Sequence, residues 1–475
     1  MAGIAEYDRL DAIGLAALIG RGELTAAEVL EEAISRAEQL NPTINAITVG
    51  LYEQARAVAK APLPAGPLSG VPFLLKDLGA LMTGTVSTGS TKLLAGTVSD
   101  HDSTIVARYR AAGLTIFGRS ATPELGLATS TEPEMFGPCR NPWNLAHSAG
   151  GSSGGAAAAV AARILPIAHA TDGGGSIRIP SSSCGLFGLK PTRARTPSGP
   201  DVGEGWGGQA VGHCVSVSVR DSAALLDAAS GEDVGDPYWA PPHAGTFLHE
   251  VGREPNPLRI ALCTSPWNGL PVDPDCRQAA EDAARLCESL GHHVTQARPE
   301  FDFEPFREAQ RIIVSANVRA LLTFCAARTG RALRPDDVEP MTWEVVELAR
   351  QYSAADYADA ITHIHRIGRV VARFFAAGHD LILTPTMCMT PLPLGVVSPA
   401  NPDRDSYLTG INRSIGFTSL FNAAGNPAMS VPLHWTDTGL PVGVQFAAPF
   451  GDEATLFRLA AQLEAAKPWK DQRPC

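Results

Sequence analysis

Two short glycine-rich segments each present a serine in a setting suited to nucleophilic attack. Gly150-Gly151-Ser152-Ser153-Gly154-Gly155 and Asp172-Gly173-Gly174-Gly175-Ser176-Ile177-Arg178 place hydroxyls among residues that lack a Cβ. Backbone N–H groups there can approach a ligand closely, and successive amides form an anion-binding nest. A serine in such a nest can attack a carbonyl while the same amides hold the developing oxyanion, which is acyl-transfer chemistry. The hydroxyl still needs a base, and neither segment contains a histidine. The chain has six lysines against 32 arginines, and Lys76 alone reads as following a continuous apolar strand, Val71-Pro72-Phe73-Leu74-Leu75. Desolvation at such a place lowers a lysine's pKa and keeps a fraction neutral, as a lysine base requires.

The elements needed to position these groups can be read around them. Ser152 and Ser176 are 24 positions apart, spanned by an alanine-rich helix to Arg163 and a short strand over 167–171, so their loops can face each other. The run 71–75 reads as a buried strand with polar residues at its carboxyl end, the end that faces the ligand crevice in open α/β sheets. Residues 118–150 form a long irregular segment punctuated by Pro123, Pro133, Pro138 and Pro142, and long loops of this kind carry function.

Further out, residues 25–40 read as an amphipathic helix with the capping box Thr25/Glu28, stopped by Asn41-Pro42. Residues 103–112 read as helix and 114–117 as strand. A βαβ-like unit, with a helix capped by Asp273, begins at 258 and leads into mostly helical sequence to about 376, read as a smaller lobe inserted into the main sheet. Strands return at 381–386, 428–432 and 442–446, and a helix from Asp452 closes the chain. The fold class expected is α/β with a mixed sheet.

Bulk properties narrow the function. With 475 residues, 45% of them hydrophobic, the chain can bury a large core, and 46 Gly and 37 Pro without a period read as many tight turns. A formal charge of −11 repels phosphate backbones and anionic lipid, so nucleic acid and membrane are not expected as partners. The start lacks a basic region followed by an apolar one, which leads to the expectation of a cytoplasmic protein. Nine cysteines, an odd number with no CxxC, indicate neither a disulfide framework nor a zinc ribbon. The one close histidine pair, His363 and His365, would sit ~200° apart on a helix, so no metal site is expected.

Taken together, Gly70-Val-Pro-Phe-Leu-Leu-Lys76-Asp77, GGSSGG, DGGGSIRIPSSSCGLFGLKPT to Thr192, Asn422-Ala-Ala-Gly425-Asn-Pro427-Ala and Gly439-Leu-Pro441-Val-Gly443-Val-Gln445 resemble the amidase signature family across nearly the whole chain. The resemblance implies one mixed twisted sheet covered by helices on both faces, a single domain over 1–475 with its signature core at 66–230, the inserted lobe at about 258–376 and a return to the sheet at 377–475. It implies Lys76 as general base, Ser152 as relay serine held by a cis peptide, Ser176 as nucleophile, and the amides of Gly173, Gly174, Gly175 and Ser176 as oxyanion hole, with no cofactor.

Asp172 and Arg178 are expected to brace the nest and Ser153 to hydrogen-bond the loop. The segment 129–134, with Arg140-Asn-Pro-Trp-Asn144 behind it, is most similar to the subgroup of 6-aminohexanoate cyclic dimer hydrolase and urethanase-like amidases. That implies a small amide or carbamate substrate for a monomer or homodimer. Gly126, Thr129 and Ser130 are candidate pocket residues, other pocket residues are expected in 312–325 and 341–349, and the glycine-rich segment 198–213 is a candidate lid.

Other readings of single motifs stay open on sequence alone. Gly150-x-Ser152-x-Gly154 and Gly151-x-Ser153-x-Gly155 both fit a nucleophile elbow, for which an α/β-hydrolase esterase would need a late histidine among His363, His365, His379 and His434. The glycine loops match neither G-x-G-x-x-G nor a P-loop, which leaves nucleotide binding unsupported. An amidotransferase subunit active only within a complex is the third rival. His169 reads as a satisfied core histidine, Cys139 and Cys184 as inert thiols, and Trp143 as core.

Overall fold

A computed structural model describes residue 4 and residues 6–328 and 330–474; Cys475 lies outside them. The strands are β1 (Ile47–Gly50), β2 (Pro72–Lys76), β3 (Thr115–Ser120), β4 (Arg140–Asn141), β5 (Asn144–Ser148), β6 (Ile167–Asp172), β7 (Phe187–Lys190), β8 (Val211–Ser216), β9 (Arg259–Leu262), β10 (His293–Gln296), β11 (Leu381–Pro385), β12 (Ala428–Trp435) and β13 (Pro441–Ala447). Eight of them form a mixed sheet in the order β10-β9-β11-β13-β12-β7-β8-β6, parallel from β10 through β9 to β11 and antiparallel thereafter. Three more form β1-β3-β2, with β2 parallel to β3. The hairpin β4-β5 interrupts the irregular segment expected over 118–150.

The strands alternate between two cores, as a period of two demands. Leu381 and Leu383 of β11, with Val442, Val444 and Phe446 of β13, pack under the helices Val219–Ala229, Pro274–Ser289 and Glu453–Ala466. Ile382, Ala428 and Ala447 point the other way, to helices Phe303–Arg328, Ala354–Ala376 and Ser419–Ala424. The fold is thus an α/β sheet covered on both faces. A further core wraps β2, β3 and β6 around helices Ala26–Ile44 and Gly154–Ala161.

Two expectations about helix ends need correction. Asn41-Pro42 does not stop the first long helix, which runs to Ile44 and ends on Asn45 in the left-handed region. Pro42 falls in the last turn, where it forfeits a single helix hydrogen bond, and Asn41 ties down the exit by accepting from Ala46 and Ile47 N–H. Asp273 does precede helix Pro274–Ser289, but its side chain makes no capping bond. Arg413 takes its carboxylate at 2.6 Å instead.

Candidate active site

β2 and β6 lie against each other where the two sheets meet, and their carboxyl ends bring Lys76 beside Thr171 and Asp172. They share no ladder. His169 of β6 takes its place, its Nδ1 accepting from the Lys76 N–H at 3.2 Å. Burial first, and then the nearby Lys76 and Arg119 charges, push the His169 pKa down to about 3, so the ring is neutral and free to accept. Two residues further along the same strand face, Thr171 Oγ1 accepts from Lys76 Nζ at 2.8 Å. Lys76 Nζ also donates to Ser152 Oγ at 2.7 Å. The lysine is fully buried, and that desolvation pulls its pKa down to about 7 against the opposing pull of the Asp172 carboxylate.

Ser152 follows a cis peptide bond from Gly151 and is 2% exposed. The loop holding it is packed too tightly for side chains. A Cβ on Gly151 would lie 2.4 Å from the Ser130 carbonyl oxygen, and one on Gly126 would lie 3.0 Å from Ser152 Oγ. Gly126 and Ser130 therefore touch the Ser152 loop, whereas the Thr129 hydroxyl turns to Ser414 Oγ at 3.0 Å. Ser153 is buried and its Oγ bridges to Thr171, accepting from the Thr171 N–H at 3.3 Å and donating to its carbonyl at 3.2 Å.

Ser176 lies half-buried in the nest that follows β6, and its hydroxyl has no hydrogen bond to the described residues. Asp172 organises this turn by accepting from the N–H groups of Gly175 at 2.8 Å and Ile177 at 3.1 Å. The Gly175 N–H is committed to Asp172, which leaves the amides of Gly173, Gly174 and Ser176 facing no acceptor among the described residues.

Arg178 clamps the same carboxylate through Nε at 2.9 Å and a terminal nitrogen at 2.8 Å, both side chains being fully buried. Burial alone would raise the Asp172 pKa, but Arg178, Lys190 and Asn422 hold it well below the usual carboxylate range. Arg178 reaches on to Gln445 Oε1 and Asn422 Oδ1, both at 2.6 Å, so the two late sequence motifs close this network.

Three features escaped the sequence reading. Thr171 reads from the sequence as a strand residue without a role, although its spacing of two from His169 is visible there. Trp206 lies on the nest: a Cβ on Gly173 would come within 2.8 Å of its indole ring. The candidate lid 198–213 thus packs onto the glycines while Gly207 meets Ile313 and Ile361 of the helices above. Finally, Lys76 is not alone, since Lys190 also ends a fully buried strand.

The rival assignments find no geometry. His434 faces Asp282 at 3.9 Å, and no histidine is bonded to Ser152, Ser153 or Ser176 among the described residues. His169 accepts a bond as a core histidine would, and Trp143 donates to the Cys184 carbonyl at 2.8 Å. Burial raises the thiol pKa of Cys139 and Cys184. Among the described residues no cluster of three or more His, Cys, Asp or Glu could hold a metal, and no helix is long and apolar enough to cross a membrane.

A family model described as Amidase matches residues 28–457. The chain is 39% identical to 6-aminohexanoate-cyclic-dimer hydrolase of Paenarthrobacter ureafaciens, over 98% of this chain and 96% of that one. A solved structure of 6-aminohexanoate cyclic dimer hydrolase superposes with a TM-score of 0.94 at 38% identity, covering 98% of this chain and 99% of the other. The crystal structure of a bacterial aryl acylamidase superposes with a TM-score of 0.87 at 26% identity, over 97% and 98% of the two chains.

Proposed function

The chain belongs to the amidase signature family, as a hydrolase of carbon–nitrogen bonds other than peptide bonds, and from that premise we propose that it works through a serine acyl-enzyme with Lys76 as base, Ser152 as relay and Ser176 as nucleophile. The observation that carries this reading is the buried Lys76 Nζ, 2.7 Å from Ser152 Oγ, with a pKa of about 7.

Neutral Lys76 takes the Ser152 proton while Ser152 takes that of Ser176, and Ser176 Oγ bonds to the substrate carbonyl carbon. The carbonyl oxygen becomes an oxyanion facing the amides of Gly173, Gly174 and Ser176. As the C–N bond breaks, the proton held on Lys76 returns through Ser152 to the leaving nitrogen, which departs as the neutral amine. Water then attacks the ester, giving its proton to the same relay, and releases the acid and a free Ser176. Thr171 and Ser153 fix the lysine and its loop, and the Asp172–Arg178 pair shapes the nest.

The substrates proposed are small linear aliphatic or aryl amides, in keeping with the activities named for the cyclic dimer hydrolase and the aryl acylamidase. Carbamates present the same carbonyl geometry and are proposed with them. A panel of aryl amides, aryl carbamates and linear or cyclic aminohexanoate oligomers tests the range, with glutamine as a control for the amidotransferase reading. Ser176→Ala should abolish turnover while the fold persists, and a fluorophosphonate should label Ser176. Labelling at any other residue would overturn the assignment.

A further inference from the structure

Just before Ser176, the peptide plane joining Gly174 to Gly175 is held at both of its edges. Its N–H donates to Asp172 Oδ1 at 2.8 Å, and its carbonyl accepts at 2.5 Å from the hydroxyl of Thr418, 244 residues away in the chain. Thr418 is fully buried and precedes helix Ser419–Ala424, where its hydroxyl makes no capping bond and goes to the nest instead. The approach is close. A Cβ on Gly175 would lie 2.6 Å from Thr418 Oγ1, and the φ of 137° at Gly175 is one that only glycine adopts readily.

Thr418 serves the other edge of the plane as well. Its backbone carbonyl accepts from Arg178 Nη1 at 2.9 Å, and Arg178 clamps the same Asp172 carboxylate that takes the Gly175 N–H. Hydrogen bonds therefore close a ring around one peptide plane, from the Gly174 carbonyl through Thr418, Arg178 and Asp172 back to the Gly175 N–H. Neighbouring carbonyls are held separately, that of Asp172 by Asn422 Nδ2 at 3.1 Å and that of Gly175 by the Ile179 N–H at 2.7 Å. A plane between two glycines turns easily, since neither residue has a Cβ to resist the change in ψ and φ. Without the Thr418 hydroxyl only the N–H edge would be fixed. The amides of Gly174 and Ser176 lie on either side of this plane and face no acceptor among the described residues, so their common aim depends on it.

We propose that Thr418 is a positioning residue for the oxyanion hole, its hydroxyl locking the Gly174–Gly175 peptide so that the amides of Gly174 and Ser176 converge on the substrate oxygen. It acts through the peptide and takes no part in the proton relay. The inference rests on the acyl-enzyme reading above and adds the residue that keeps the hole in shape before substrate arrives. Preorganised donors need no rearrangement as the oxyanion develops, so slack in the nest is felt in kcat and not in ground-state binding.

The test is Thr418→Val, which keeps the branched shape and the backbone carbonyl to Arg178 and removes only the hydroxyl. With p-nitroacetanilide, kcat should fall about tenfold or more while KM stays within about twofold. Labelling of Ser176 by a fluorophosphonate should slow by a similar factor, because its phosphoryl oxygen enters the same hole. Thr418→Ser restores the hydroxyl and should return both rates to within about threefold of wild type. The rise of rate with pH through about 7 should stay in place in every variant, since Lys76 is untouched. Unchanged rates in Thr418→Val, a loss confined to KM, or equal losses in Thr418→Val and Thr418→Ser would make Thr418 a packing residue and overturn the proposal. Should Thr418→Val not fold, Thr418→Ala carries the same comparison with Thr418→Ser, and should the anilide not be cleaved, the labelling rates decide. If the wild type neither cleaves the anilide nor takes the label at Ser176, the acyl-enzyme reading has failed and this inference falls with it.

Discussion

Lys76 and Lys190 end two different buried strands, both are about as deeply enclosed as a lysine can be, and burial pulls both pKa values down to about 7. Their partners differ. Lys76 Nζ meets two hydroxyls, Ser152 and Thr171, and a hydroxyl can give up a proton as well as accept a bond. Among the described residues Lys190 Nζ donates a hydrogen bond only to the carbonyl of Pro191, which has no proton to give. Asp172 pulls on both lysines, and Arg178 opposes the charge on Lys190. A perturbed pKa therefore marks burial alone, and it is the contact with two hydroxyls that sets Lys76 apart and supports its proposed role as base.

The sharpest way to break this contrast is to remove the proposed base. Lys76→Ala should lower kcat by several orders of magnitude, since general-base assistance contributes typically ~10²- to 10⁴-fold and the relay through Ser152 fails with it. Ser152→Ala should cost less, because water can stand in for the relay hydroxyl. The double variant should cost little more than Lys76→Ala alone, and losses that multiply would separate Lys76 from the relay. With neutral Lys76 as the proposed working form, the wild-type kcat/KM should rise with pH through about 7 and level off on the alkaline side.

A second, smaller effect tests the pair that stands near both lysines. Arg178→Ala leaves the fully buried Asp172 carboxylate without its guanidinium, a change that costs about 3–5 kcal/mol of stability. Denaturant midpoints should fall accordingly, and Arg178→Lys should recover only part of the loss, because an ammonium cannot reproduce a fork that reaches Asp172, Gln445 and Asn422 together. A midpoint unchanged in Arg178→Ala would remove this pair from the account of the nest.

Sequence legibility followed the range of the interactions. The capping box at Thr25 and Glu28 is local, and both of its bonds form. The two glycine loops and the strand to Lys76 were legible because their residue types and spacing are local, although the approaches that the glycines answer come from elsewhere, Ser130 on Gly151 and Ala121 on Gly155 among them. The Pro42 stop failed because a last-turn proline sacrifices a single bond while Asn41 secures the exit, and the Asp273 cap failed because Arg413, 140 residues away in the chain, takes its carboxylate. Trp206 on Gly173 could not be read either, since it depends on a contact between distant segments. Lys190 was overlooked for a different reason: its strand, Phe187-Gly188-Leu189, looks less continuously apolar than residues 71–75, yet it is buried throughout.

The smallest activity change, and the most discriminating, should come from Lys190→Met. An ordinary lysine titrates at 10.5 and Lys190 in the folded protein at about 7. Between those values the unfolded chain binds a proton that the folded one does not, so the native state gains stability as pH rises through that window. Below about 7 both states are protonated and the full cost of enclosing the charge, on the order of several kcal/mol, is present; above 10.5 it is gone. Methionine has a similar length and no charge to enclose. The variant should therefore be at least as stable as the wild type at pH 7, and its urea midpoint should climb less between pH 7 and 10. Its kcat/KM should stay within about twofold of wild type, with the rise near pH 7 intact, because that limb belongs to Lys76. Lys76→Met should flatten the stability curve in the same manner but remove the activity, and these paired outcomes separate burial from catalysis. If the acid limb of the rate profile instead disappears in Lys190→Met, the titrating base is Lys190 and the proton chain through Ser152 is wrong.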